Sequence, residues 1–413
     1  MAVAEGHAGV EVPAPPGVRA LLAANPVPEV LAGCAEWVVV RMDEPPSLGR
    51  LVAGVQAVLD RHDALRLMLR ESGALLVRDA GAVRAEPLVA EVDGCPETEA
   101  NRLAAQLDPR SGDVLRVGLL WDGVLLVAHP LAVAATSWPV LVADLEAACG
   151  GARPGGSGPA PAAQARAGAR RGELAYWHGV LAPDGPRLGA RPFDPAADTV
   201  ATADRTWTVA SPAMAEILLT RLPAACGPSP AEVLLAALAL AVRSWRGPRD
   251  ALCVTLDDGG PAGGFPVRVA ADAVRSAADL AEALDGGPAA GRLLRAAATA
   301  VRATPRAGSG YGVLRHLDPD APLAALPVPE LRLAWFPQVR GVAWRADPPA
   351  VVERQGKALA AVLALAVSEA GDGSLAAEWT AAGRVLDADA VEDLQRHWEQ
   401  ALVGLAAHTP GSR

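Results

Sequence analysis

Two short stretches hold residues whose types and spacing invite chemistry. The first is LLVAHPLAVAATSWPVLVADL, from Leu125 to Leu145, where an apolar run ends on His129. An imidazole at the end of a strand suits general acid–base work near neutral pH. Pro130 follows at once, then small and almost wholly aliphatic residues up to Thr136, before Ser137 and Trp138 open a helix. Ser137 carries a nucleophile's hydroxyl, but no His or Asp stands in an obvious partnering position, and a place at the helix N-cap accounts for it. The second stretch is VTLDDGGP, with Asp257 and Asp258 adjacent. Two carboxylates could share a proton or hold a cation, yet neighbours on a strand point to opposite faces, so a solvated loop is the plainer reading. Gly259-Gly260 and Gly263-Gly264 lack the Lys, Ser and helix start of a phosphate loop. His129 likewise has a plainer reading, as an end-of-strand side chain packed beneath the loop.

These groups must be carried by elements that can be read from the sequence. AEWVVVRM (Ala35 to Met42) is β-branched and alternating, and predicts a strand. Leu48, Leu51, Val52, Val55, Val58 and Leu59 share one helical face, with Ser47 as N-cap. Hairpins are expected around Glu71-Ser72-Gly73 and Asp122-Gly123, the second delivering the chain to His129. Further on, DRTWTVA predicts a strand, and PSPAEVLLAALALAVRSWRG a buried helix with Ser229 as cap, Pro230 in its first turn and Gly247 beyond its end. ALCVTLDDGGP predicts a strand running into a Gly-rich loop. ELRLAWFPQ predicts a strand, and KALAAVLALAVSEAGDGSLAAEWTAAG a hairpin around Gly371-Asp372-Gly373. Val391, Leu394, Trp398, Leu402 and Leu405 stripe a closing helix. Helices alternate with hairpins in both halves, which implies an α/β class with mixed sheets.

The chain has 413 residues, enough for two domains or one two-lobed unit. The expected division is 1–150 for an N-terminal lobe, 151–172 for a Gly/Pro/Ala-rich linker, and 173–413 for a C-terminal lobe. A formal net charge of −10 argues against a nucleic-acid surface. Five scattered cysteines fit a reducing cytosol and make neither a disulfide framework nor a zinc site. No secretion signal and no membrane-spanning apolar run is read, so a cytoplasmic protein without nucleic-acid or membrane partners is expected. Ten Trp against three Phe and two Tyr leave most aromatic packing to Trp. Trp37, Trp207 and Trp379 fall in strands, Trp245 and Trp398 on helices, and core packing is expected of them. Trp335, Phe336 and Trp344 flank an irregular stretch with Arg340, Arg345 and Arg354. Such a cluster is either packing or a protein interface.

The order of these landmarks resembles the condensation superfamily of non-ribosomal peptide synthetases, closest to its epimerization branch. RHDALRLML is similar to the family's H-H-D-A-L-R-L-R-F. AHPLAVAATSWPVLVADL stands where the family has H-H-x-x-x-D-G-x-S-W-x-x-L-x-x-D-L, with Ser137, Trp138, Leu141, Asp144 and Leu145 matching. RATPRAGSGYGVLRHLD resembles P-x-x-G-x-G-Y-G-L-L-R-Y-L, with Pro305, Gly308, Gly310, Tyr311, Gly312, Leu314, Arg315 and Leu317 in register. The resemblance runs from about residue 30 to 408. It implies two pseudo-symmetric chloramphenicol-acetyltransferase-like lobes in a V-shaped arrangement, with a tunnel between them lined in part by Tyr311 and Arg315. There a peptidyl carrier protein would present a peptide on its phosphopantetheine thioester.

Carried over residue by residue, the resemblance implies a site whose chemistry is gone. The family's proton-transfer histidine falls on Pro130, while the first histidine survives as His129. The motif's Asp and Gly fall on Ala134 and Ala135. In the second loop the epimerase Glu falls on Asp257, its Gly on Asp258, its His on Gly259 and its Arg on Pro261. Removing an α-proton needs a base within hydrogen-bond reach. Pro130 cannot supply one, and a carboxylate set back by roughly 1.5 Å can lose about a hundredfold in rate. The resemblance therefore implies no intact catalytic residue, no cofactor and no metal. The role it suggests is that of the degenerate X-domains, which dock a haem-thiolate oxygenase of cytochrome P-450 type onto a carrier-bound peptide. The alternative is a divergent condensation or epimerization enzyme that works by positioning, helped by His129 or Asp257. An inert spacer is a third possibility.

Overall fold

The computed structural model describes residues 9–155, 170–182, 187–247, 251–257, 264–318, 322–340 and 343–408. In chain order its first elements are β1 (Gly9–Val12), α1 (Pro16–Ala24), β2 (Ala35–Arg41), α2 (Leu48–Arg61), β3 (Leu67–Leu69), β4 (Leu75–Arg78), β5 (Val89–Glu91), α3 (Pro96–Ala104), β6 (Leu115–Leu120), β7 (Gly123–Ala128), the short α4 (Pro130–Val133) and α5 (Trp138–Cys149). Then come α6 (Leu174–Leu181), β8 (Ala203–Ala210), a helical segment over Pro212–Cys226, α7 (Pro230–Arg246), β9 (Leu252–Asp257), β10 (Phe265–Val269), α8 (Ala277–Leu284), α9 (Pro288–Arg302), α10 (Tyr311–His316) and β11 (Leu331–Phe336). The chain ends with β12 (Val339–Arg340), β13 (Arg345–Ala346), β14 (Ala350–Val352), β15 (Leu363–Glu369), β16 (Leu375–Ala382) and α11 (Ala388–Ala407).

The chain forms two compact units. One comprises Met1–Ala167 with Gln338–Lys357, the other Gly168–Pro337 with Ala358–Arg413. In the first, a seven-stranded sheet runs β12-β13-β2-β7-β6-β5, with β14 also on β2, beside a three-stranded β1-β4-β3 sheet. Strand β7 is buried along its whole length, as a central strand must be. Helix α2 packs Leu51, Val55, Val58 and Leu59 against Leu141, Val142 and Leu145 of α5 in one core with the sheet. Ser47 starts α2 as expected, its hydroxyl accepting from Arg50 N at 3.4 Å. The turn before β4 takes Gly73 to φ 79°, which glycine adopts without steric cost.

Gln338–Lys357 returns to the first unit, although the sequence places it within the second lobe. Its strands β13 and β14 pair antiparallel with β2, Arg345 opposite Arg41 and Ala350 opposite Trp37, and β12 pairs with β13. Glu146 of α5 accepts from Ala343 N at 2.6 Å and Trp344 N at 3.3 Å, and Arg41 bridges Asp122 and Asp347. Strands of two or three residues carry no readable alternation, so this return leaves no mark in the sequence.

In the second unit a six-stranded sheet runs β10-β9-β11-β15-β16-β8, parallel between β9, β11 and β15 and antiparallel elsewhere. Helix α7 is buried from Glu232 to Arg243. It begins with a capping box in which Ser229 and Glu232 exchange bonds of 3.3 and 2.7 Å, worth about 1 kcal/mol. The stripe on α11 is buried as read, with Trp398 edge-on to Trp379 at 5.9 Å. No single described helix is long and apolar enough to cross a membrane.

Candidate functional site

In the first unit the position of chemical interest is the end of β7. His129 is fully buried. Its Nε2–H donates to the Leu31 carbonyl at 2.9 Å, while Nδ1 accepts from Leu131 N–H at 3.1 Å. Both ring nitrogens are thereby used within the scaffold. Burial holds its pKa down to about 4, more than the Leu31 carbonyl and Asp108 raise it, and Lys357 adds to the lowering. At neutral pH His129 is an uncharged ring with no lone pair left to take a substrate proton.

The residues after it form α4, a helical turn where the sequence suggests a loop. His129 stands at its N-cap and Pro130 in its first turn, where the missing N–H costs nothing. Leu131 packs with Ala14, Val18, Ala64 and Leu67, and Ala134 and Ala135 lean on the same cluster. Leu131, Ala134 and Ala135 thus join this turn to an apolar core. Ser137 does precede α5, but its hydroxyl makes no capping bond. Pro139, the second residue of the helix, has no N–H to offer it. Trp138 is buried and its Nε1–H donates to Glu36 at 3.3 Å.

One buried imidazole was not singled out by the sequence. His62 lies 2.7 Å from Asp144, a carboxylate that also accepts from Gly155 N at 2.7 Å. Gly155 O in turn takes Arg61 Nη2 at 2.9 Å. His62 has zero exposure, so the pair fastens the end of α2 to α5 and holds the Gly155 backbone against them. Both residues lay in motifs already recognised, but only packing shows that they meet.

In the second unit Asp257 ends β9 within the strand and not in a solvated loop. Its carboxylate is paired with Arg332 of β11 and is only 15% exposed. Parallel pairing sets Ala334 opposite Asp257 and Arg332 opposite Thr255, which brings the guanidinium within reach. No local signal in the sequence announces that partner. Asp258, Gly259 and Pro261 lie outside the described residues.

Tyr311 is buried, its ring 5.2 Å from Trp177, and among the described residues its hydroxyl has no hydrogen-bond partner of good geometry. Burial pushes that phenol above its ordinary pKa. Arg315, 5.9 Å from the same ring, spends its guanidinium on the carbonyls of Leu323 and Leu326, each at 2.8 Å. Of the aromatic–Arg cluster, Trp335 is buried in the second unit's core and Trp344 in the first unit's, which makes them packing residues and not an exposed interface. Phe336 is half-buried and Arg345 exposed, and Arg340 is placed only through its backbone in β12. Trp207, expected in a core, is 63% exposed; it pairs with Glu378 on the sheet face opposite the buried Trp379. Trp121, beside the Asp122 turn, is exposed as well. No group of three or more His, Cys, Asp or Glu among the described residues could hold a metal ion.

Comparison with known proteins agrees with this architecture. No family model matches the chain. A stretch of 112 residues is 32% identical to surfactin synthase subunit 1 of Bacillus subtilis (strain 168), covering 24% of this chain and only 3% of that protein's length. The epimerization domain from the third module of tyrocidine synthetase B superposes with a TM-score of 0.74 at 17% identity, over 98% of both chains. The first condensation domain of the calcium-dependent antibiotic synthetase gives 0.65 at 16% identity, over 98% of this chain and 97% of that one. The X-domain from teicoplanin biosynthesis gives 0.60 at 20% identity, over 100% and 98%. With its mixed sheets, its paired units and these likenesses, the chain has the fold of the condensation and epimerization domains of non-ribosomal peptide synthesis.

Proposed function

We propose that this chain is a catalytically silent member of that fold, acting in the cytoplasm as a docking platform. It receives a peptidyl carrier protein bearing a phosphopantetheine-linked peptide and recruits a haem-thiolate oxygenase to it. The observation that carries this reading is His129, buried and neutral with both nitrogens bonded, beside a proline where proton transfer would need a second imidazole. The carboxylate at the second motif supports it, since Arg332 engages Asp257. The surrounding scaffold is kept while the groups that move protons are not, and the likeness to the X-domain from teicoplanin biosynthesis points the same way.

The test has two arms. A carrier protein loaded with an aminoacyl thioester is incubated with the chain in D2O, and deuterium at the α-carbon is followed by mass spectrometry. No exchange above the carrier alone is expected. In the second arm the oxygenase of the same biosynthetic system is mixed with the chain, and its Soret band is followed through gel filtration; co-migration is expected. Exchange that His129→Gln abolishes would overturn the reading in favour of an enzyme, and an oxygenase that elutes alone would remove the recruitment role.

A further inference from the structure

Three consecutive residues of the second unit's Gly-rich turn are left-handed: Arg306 (φ 47°, ψ 41°), Ala307 (φ 50°, ψ 44°) and Gly308 (φ 79°). Arg306 and Ala307 are the only non-glycine residues at positive φ among the described residues. A Cβ-bearing residue persists there only where its surroundings enforce it. Those surroundings come mostly from one segment, Arg170 to Trp177, the first described stretch of the second unit.

Arg170 Nη1 donates to Ser309 Oγ at 3.2 Å. Arg171 grips Asp318, a carboxylate only 1% exposed, with bonds of 2.8 and 2.9 Å. Glu173 accepts from Trp177 Nε1 at 3.3 Å and faces Arg306 at 3.5 Å, and Gly310 lies so close to its carboxylate that any Cβ would collide. The Tyr176 hydroxyl lies 3.2 Å from Thr304 Oγ1, and Trp177 stacks at a tilt on Tyr311. On the other side Gly308 is pressed onto the Phe265 ring, where a side chain could not fit.

We propose that Arg170 to Trp177 is a clasp that holds this turn in its strained form and keeps Tyr311 packed. The turn then has two states. In the clasped one, five side chains of the segment offset the left-handed backbone; in the open one, Arg306 and Ala307 relax and Tyr311 loses its cover.

Hydrogen–deuterium exchange of the full chain tests this in wild type, Glu173→Gln, Ala307→Gly and the double variant. Glu173→Gln is expected to speed exchange of the 306–311 amides at least about tenfold, leaving the β15–β16 hairpin unchanged. Ala307→Gly, which removes one left-handed Cβ, is expected to slow the same amides by about five- to thirty-fold in either background. The clasp is overturned if Glu173→Gln leaves 306–311 unchanged, or if the hairpin accelerates equally. It is also overturned if Ala307→Gly speeds the turn up, since the backbone would then hold no strain; this arm needs no clasp variant to fold.

Discussion

His129 makes a contribution to stability that can be measured. Its folded-state pKa of about 4 lies below the ordinary 6.5, with burial as the first cause. Between those values the unfolded chain binds the proton and the folded chain does not, so stability rises with pH across that window. On acidification the loss begins as pH falls through 6.5 and is complete near 4, below which both states are protonated. The gap of roughly 2.5 units, at 1.36 kcal/mol per unit, makes the contribution about 3 kcal/mol. The perturbation is His129→Gln, whose amide can donate to Leu31 and accept from Leu131 but cannot titrate. Urea unfolding of both proteins at pH 7, 6, 5 and 4 isolates the term, because other titrating groups cancel in the difference. Wild type is expected to lose about 3 kcal/mol relative to the variant between pH 7 and 4. A pH-independent difference, or an imidazole seen by NMR to titrate near 6.5, would refute the locked, neutral histidine.

Other outcomes follow from the same geometry. Pro130→His is expected to give no α-deuterium exchange, because His129 and Asp257 stay engaged. It should lower stability by about 1–3 kcal/mol, as a polar ring enters an apolar site; urea unfolding and the thioester assay check the two parts. Arg332→Met removes the guanidinium that faces Asp257 and is expected to cost about 1–3 kcal/mol, whereas the double variant with Asp257→Asn should recover most of it in denaturant titrations. Tyr311→Phe removes a buried hydroxyl that has no well-formed hydrogen bond among the described residues, so thermal unfolding should show no loss and a gain of up to about 1 kcal/mol; a loss above about 2 kcal/mol would mean the hydroxyl is bonded. Ser229→Ala opens the capping box of α7 and is expected to cost about 1 kcal/mol by the same measurement.

Much of the candidate site could be read locally. The Asp122-Gly123 hairpin, the strand that ends on His129 and the proline after it follow from turn chemistry and from alternation over a few residues. So do the Ser229 cap with its buried helix and the stripe on α11. These are short-range effects, in which a turn residue or an apolar period acts on its own neighbours. Proline at 130 also settled, without any coordinates, that this position carries no ionisable group.

Other features depend on residues far apart in the chain. His129 is a spent imidazole and not a free base because Leu31 brings a carbonyl to it from 98 positions away. Asp257 is paired because parallel strands set Arg332 beside it, and Trp207 is exposed because the pairing register sets it on the face opposite the buried Trp379. Gln338–Lys357 joins the first unit by pairing with β2 and by burying Trp344 and Ala346 in a core whose other members lie roughly two to three hundred positions earlier. Residue types and local periods determined which elements form and which groups could react. Which of those groups stay available was decided only by tertiary contacts, because burial and hydrogen-bond partners belong to the packed chain and are written in no single segment of it.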